Sequence, residues 1–178
     1  MTLVQKSPEL FLAEGSICEV GESEIKTLKA AVKASAKRRA RINTHPDGGD
    51  ALHEMIIAID QVSYIRPHKH PGKSEAFHII EGEVDIVVFN NDGEIDRVIQ
   101  LGQPGSGRAF YYRMSKPFFH TLVIRSDILI VHEITNGPFR PEATIFADFA
   151  PEDSDTVRAE AYQADLVRRV AALQGTAA

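Results

Sequence analysis

Seven histidines stand at positions 45, 53, 68, 70, 78, 120 and 132, and two of them fall in the run Arg66-Pro67-His68-Lys69-His70-Pro71-Gly72-Lys73-Ser74-Glu75. In an extended chain, residues two apart point to the same side, so His68 and His70 project together. Pro71 and Gly72 predict a short turn, after which the next strand returns Glu75 to the same place. Two imidazoles and a carboxylate converging from adjacent strands suit a first-row divalent metal and leave coordination positions open. A fourth ligand has to come from elsewhere, and His120 is the best candidate. It follows Lys116-Pro117-Phe118-Phe119 and opens the apolar run Thr121-Leu122-Val123-Ile124. The proline fixes the entry to a strand, and a histidine at its first residue can face a barrel mouth. The expected cofactor is one divalent ion. Imidazole and carboxylate accept iron, zinc, manganese and nickel alike, so the ligand types leave its identity open. Such an ion acts as a Lewis acid on a carbonyl or hydroxyl, or supports dioxygen chemistry if it is iron.

The elements that must position these groups fall into three zones. Residues 1–50 form an N-terminal segment whose amphipathic helix, Ser23 to about Lys37, is read from Ile25, Leu28, Val32 and Ala36 at helical spacing. Residues 51–150 are all-β in character, with short runs rich in Ile, Val, Phe and Tyr separated by turn residues. The predicted strands are His53–Asp60, Ser63–Pro67, Glu75–Ile80, Val84–Asn90, Glu94–Leu101, Ala109–Met114, Phe118–Ile124 and Ile128–Thr135. Asn90-Asn91-Asp92-Gly93 reads as a hairpin turn, Gly102–Gly107 as a loop, and Glu81-Gly82-Glu83 as a tight strand end. Eight short strands suit a barrel or jelly roll, which solves the open-edge problem. Residues 151–178 predict a C-terminal helix with Tyr162, Leu166, Val170 and Leu173 on one face, set against the barrel or a second subunit. The 178 residues suffice for one domain overall.

Composition narrows the function classes. The net charge of −5 argues against nucleic acid, and the basic run Lys37-Arg38-Arg39-Ala40-Arg41 reads as a solvated helix end without an aromatic platform. Cys18 is the only cysteine, which excludes an intrachain disulfide and a cysteine-based zinc framework. The first residues, MTLVQKSPELFLAEGS, lack the basic start and sustained apolar run of a signal peptide, and no stretch approaches membrane-spanning length. A cytoplasmic protein with no membrane partner is expected.

The spacing His68-x-His70, four residues, Glu75, six residues, Gly82 resembles the first motif of the cupins, and Pro117-x-x-His120 resembles the second. Phe118 and Phe119 stand where the second motif usually carries a glycine. A narrower resemblance joins Arg41-x-Asn43-x-His45-Pro46, Arg66-Pro67-His68-x-His70-Pro71-x-Lys73-x-Glu75, Asn136-Gly137-Pro138-Phe139 and Phe146-Ala147-x-Phe149-Ala150-Pro151. Over roughly residues 38 to 151 these are similar to the WbuC family of cupin-fold metalloproteins. The resemblance implies a single cupin, a double-stranded β-helix or jelly-roll barrel with flanking helices. It also implies that His68, His70, Glu75 and His120 hold the metal. WbuC-like proteins are often encoded beside genes for surface-polysaccharide (O-antigen) synthesis, and their reaction is not established. Cupins commonly form dimers, so a homodimer is expected.

Read alone, Arg41, Asn43 and His45 are ordinary polar loop residues. The resemblance places them at the pocket mouth, where Arg41 can pair with a carboxylate or phosphate. Lys73, between His70 and Glu75, lies within reach of a ligand held at the metal. His78 has the opposite parity to Glu75 and is expected to face away from it. His53 and His132 read as satisfied core or surface histidines, Glu133 has no assigned place, and Tyr111, Tyr112, Phe77 and Phe119 read as core or pocket wall. The leading expectation is a metal-dependent enzyme for a small anionic, carbohydrate-like substrate, with Arg41 and Asn43 binding it and His45 or Lys73 moving a proton. Isomerisation, lyase chemistry and oxygenation all stay open. Two other readings are a non-catalytic ligand-binding module and a metal-free cupin of the sugar-nucleotide isomerase or epimerase type.

Overall fold

The computed structural model describes residues 1–175 as two β-sheets and two helices. Strands β1 (Thr2–Ser7) and β2 (Leu10–Glu14) form a hairpin, followed by helix α1 (Glu22–Ala34) and strand β3 (Arg39–Asn43). Eight strands then make the barrel. They are β4 (Leu52–Asp60), β5 (His68–Lys69), β6 (Glu75–Glu81), β7 (Glu83–Phe89), β8 (Ile95–Gly102), β9 (Tyr111–Met114), β10 (Phe119–Ile124) and β11 (Ile128–Asn136). The two-residue strand β12 (Ile145–Phe146) pairs with β5, and helix α2 (Thr156–Gly175) ends the described chain.

The strand order defines the architecture. One sheet runs β1-β2-β3-β4-β11-β6-β9 and the other β12-β5-β10-β7-β8. Among the eight barrel strands, the first, eighth, third and sixth therefore lie in one sheet, and the second, seventh, fourth and fifth in the other. That alternation is the jelly-roll, or double-stranded β-helix, of the cupin fold. Strands β6 and β7 belong to opposite sheets, so the chain changes sheet at Gly82. Its φ of +89° and its approach to the Ser126 side chain and the Ile128 carbonyl leave no room for a Cβ.

Burial follows strand parity. Ile59, Ile79, Ile86, Leu122, Leu129 and Val131 belong to the core between the sheets. Ile42, Ile56, Ala58 and Ile130, on the opposite faces, pack against Leu28 and Val32 of α1. A third cluster joins Val87, Phe89 and Val123 to Leu166 and Val170 of α2, so that helix lies on the outside of the barrel. Each fully buried Leu, Ile or Val among them contributes roughly 1.5–3 kcal/mol.

Several expectations are corrected. Helix α1 stops at Ala34 rather than Lys37, because Ser35 turns extended and Arg38 adopts a left-handed φ of 56° to lead into β3. Ala36 is consequently exposed. Arg41 and Asn43 lie on β3, not in a loop. This strand pairs parallel with β2 through α1 as crossover, and antiparallel with β4. The N-terminal segment thus extends the larger barrel sheet. Ser63–Pro67 is not a ladder strand: its carbonyls at Ile65 and Pro67 accept from the Thr121 hydroxyl and the Ala147 N–H instead. Tyr111 and Leu173 are largely exposed.

Candidate metal centre

The four residues predicted as ligands come together. One donor atom from each of His68, His70, Glu75 and His120 lies within 4.8 Å of the others. Strand β5 pairs antiparallel with β10 so that His68 stands directly opposite His120. His70 follows two residues after His68 on the same side, with ring centroids 4.8 Å apart. Glu75 arrives from the opposite sheet, which corrects the expectation of adjacent strands: β5 and β6 follow one another in the chain but face each other across the barrel. Gly72, at φ +77°, makes the turn between them. The Thr135 hydroxyl donates to the Ser74 carbonyl (2.9 Å) and the Ser74 N–H to Asn136 Oδ1 (2.8 Å), tying the approach to Glu75 down on β11.

The hydrogen bonds around the cluster orient its donors. Nδ1 of His68 lies 2.8 Å from the Arg66 carbonyl, and Nδ1 of His120 lies 3.0 Å from the Phe118 carbonyl. A carbonyl can only accept, so both Nδ1 atoms carry hydrogen, and each Nε2 keeps a lone pair in the neutral ring. Nδ1 of His70 is 3.3 Å from the Thr144 hydroxyl. Nε2 of His120 and of His70 then face Glu75, at 3.3 Å and 3.6 Å from its two oxygens. The buried Tyr112 hydroxyl donates to Glu75 Oε1 at 2.6 Å. Three imidazoles with Nδ1 engaged and a carboxylate held by a phenol are the donor set and outer support that a divalent ion requires.

Burial shapes the electrostatics. It pushes the His68 imidazole down to about 4, with the His120 charge adding to the effect. Burial alone would raise Glu75, but the adjoining His120 and the Tyr112 hydrogen bond bring it down to about 2. Burial likewise opposes the charge on His120, and Glu75 outweighs it, so that imidazole shifts upward.

A recess with about 10 Å³ of room, enough for roughly one water-sized group, is lined by His70, Lys73, Glu75, Met114, Lys116 and His120. An open cleft of about 820 Å³ beside Leu12, Cys18 and Glu54 contains none of the four cluster residues. Lys73 is therefore beside the cluster, with its Nζ 3.3 Å from the Pro138 carbonyl. His45 is not: it stacks on His53 at 4.2 Å, and its Nδ1 lies 3.0 Å from the Glu54 carbonyl and 3.2 Å from the Glu54 N–H, pinning the end of β3 to β4. Arg41 and Asn43 share the inner face of the larger sheet with Ile57 and Met55. His78 is exposed on the outer face, and His132 pairs there with Glu54 at 3.6 Å.

Sequence reasoning gave no place to Glu133 and did not consider Lys116 for the pocket. Glu133 faces inward between Phe77 and Met55. Burial first, and the Glu75 carboxylate second, raise it to about 8. The alternation of Leu129, Val131 and Glu133 along one strand carried the signal, since a carboxyl at an inward position is expensive unless it is used.

Comparison with known proteins adds a little. Residues 20–101 match a family model described as "Domain of unknown function (DUF6016)", which spans less than half of the chain. No curated protein matches the sequence. Among solved structures, protein SO0799 from Shewanella oneidensis is 14% identical, with a TM-score of 0.47 over 58% of this chain and 66% of that one. Oxalate decarboxylase from Bacillus subtilis is 12% identical, with a TM-score of 0.44 over 55% of this chain and 24% of that one. Procruciferin, the 11S globulin of Brassica napus, is 16% identical, with a TM-score of 0.41 over 49% and 21%. The chain thus spans just under two thirds of the Shewanella protein and about a quarter or less of the other two. What the fold and the cluster define together is a cupin-type barrel with a His-His-Glu-His set in its mouth.

Proposed function

We propose that this protein is a metal-dependent cupin enzyme that holds one divalent ion through His68, His70, Glu75 and His120 and acts on a small anionic, carbohydrate-like substrate. The observation that carries the reading is the orientation of the three imidazoles, whose Nδ1 atoms are engaged while their Nε2 atoms and Glu75 converge. The ion supplies Lewis-acid polarisation of a substrate oxygen. Glu75 lowers the net charge of the site, and Tyr112 fixes which carboxylate oxygen points inward. Lys73 and Lys116 flank the recess and favour an anion. In this reading Lys73, which lines the recess, exchanges a proton with a ligand there, in preference to His45. The WbuC resemblance supports the reading and extends it to surface-polysaccharide synthesis. Metal analysis of protein purified without chelators tests it. About one ion per chain is expected in the native protein and almost none in the H68A/E75A double variant. Unchanged metal content in that variant would refute the site.

A further inference from the structure

The strand register of the larger sheet lays charged groups in a line that leads away from the metal cluster. Glu75 on β6 stands opposite Thr135 on β11, and Glu133, two residues earlier on β11, stands opposite Phe77 and Met55. Glu133 is thus a diagonal neighbour of Glu75 on the same inward face, about 7–8 Å away at backbone level. Arg41 on β3 is opposite Ile57, which is opposite Val131, so it lies inward and one row further along.

Neither group is satisfied by the protein. Among the described residues Glu133 accepts no hydrogen bond and forms no ion pair, although it is only half exposed. Among the described residues the exposed Arg41 guanidinium makes no hydrogen bond or ion pair, and its charge acts on Glu133. In the row of Glu133, across Met55, Asn43 Oδ1 is buried without a partner. The buried Asn43 oxygen costs stability unless a ligand or water supplies its donor, while the exposed Arg41 and the half-buried Glu133 stay open to a ligand from solvent.

Building on the metal reading above, we infer that the metal, Glu133 and Arg41 form a three-point rail for a small hydroxylated anion. One ligand oxygen sits at the metal, a hydroxyl a few bonds away donates to Glu133, and an anionic group reaches Arg41. A carboxyl oxygen accepts in either protonation state, so Glu133 calls for a donor, as Asn43 Oδ1 does, while a guanidinium calls for an anion. A neutral polyol leaves Arg41 unpaired, and a plain carboxylate leaves Glu133 unpaired.

Calorimetry on zinc-loaded protein tests this with three six-carbon probes: D-gluconate (hydroxyls and charge), sorbitol (hydroxyls only) and hexanoate (charge only). Gluconate is expected to bind about tenfold or more tighter than either of the others. E133L should weaken gluconate by about tenfold and leave hexanoate unchanged; R41M should weaken gluconate similarly and leave sorbitol unchanged. Both variants should keep the zinc content of the parent and remain folded at the assay temperature, and R41K should fall between parent and R41M. Equal affinities for the three probes, no gluconate binding, or wild-type gluconate affinity in both variants would overturn the rail. If the parent holds no zinc, the metal reading fails by itself. The rail is then decided by whether gluconate binding to the metal-free protein still depends on Arg41 and Glu133.

Discussion

His68 and His120 face each other directly across the antiparallel pairing of β5 with β10, with their rings 4.7 Å apart. Two imidazoles held in register by strand pairing would supply one half of the proposed coordination sphere. His70 and Glu75 would complete it from a turn and from the facing sheet. That register matters because a ligand set assembled before binding pays little ordering entropy when the ion arrives.

Metal removal should destabilise the fold. An ion present at a hundredfold over its dissociation constant stabilises the native state by about 2.7 kcal/mol. For a chain of this size that corresponds to a melting temperature roughly 5–10 °C lower in chelator. Differential scanning calorimetry with and without EDTA reads the shift directly, and identical melting curves would mean that no ion contributes to the native state.

Tyr112 and Glu75 make the shortest charged contact at the cluster, at 2.6 Å. Y112F removes a buried hydrogen bond to a carboxylate, so it should cost about 1.5–3 kcal/mol of stability. Metal affinity should fall by about 10–100-fold, as expected when an outer-shell partner of a ligand is lost. Competition with a chromogenic chelator measures that change, and an affinity within twofold of the parent would show that Tyr112 does not support the carboxylate.

Acid sensitivity of the chelated protein should carry the signature of His68. Its folded value of about 4 lies below the unfolded 6.5. The unfolded chain therefore binds the proton first as pH falls, and stability drops between pH 6.5 and about 4. The opposite sign holds for Glu133, whose folded value of about 8 exceeds the ordinary 4.5. There the native state holds the extra proton, so this group removes stability as pH rises from about 4.5 to 8. Urea titrations across pH should show a flatter acid limb in H68Q and greater stability than the parent for E133Q at pH 8. Parallel curves would contradict both assignments.

Asp85 tests the barrel's outer wall. It is fully buried, and it accepts from Arg108 Nη1 (3.3 Å), Arg125 Nε (2.8 Å) and Gln174 Nε2 of α2 (2.9 Å). D85A removes the carboxylate partner of Arg125, whereas Arg108 keeps Glu83 at 3.2 Å, and it should cost about 1.5–3 kcal/mol. Zinc content per folded chain should stay at the parent's level, because the network lies on the face turned away from the cluster.

The parts of this molecule that were legible in the sequence are those fixed by short-range rules. His68 and His70 are paired by strand parity alone, and the turn at Asn90–Gly93 joins β7 to β8 as its residues predict. Tyr162, Leu166 and Val170 pack as the helical period requires. What escaped depends on register between distant strands. Glu133 acquires meaning only when β11 is aligned with β4 on one side and β6 on the other. The β1–β2 hairpin carries no strong turn signal, and β3 becomes a strand because β2 and β4 both offer it partners. Lys116 reaches the recess because the β9–β10 connection passes over it.

The most direct test of the central claim is anomalous diffraction at the absorption edge of whichever metal the native protein carries. The account predicts a single strong peak among His68, His70, Glu75 and His120, about 2.0–2.2 Å from three imidazole nitrogens and a Glu75 oxygen. A peak elsewhere in the molecule, or none in protein shown to be metal-loaded, would contradict it.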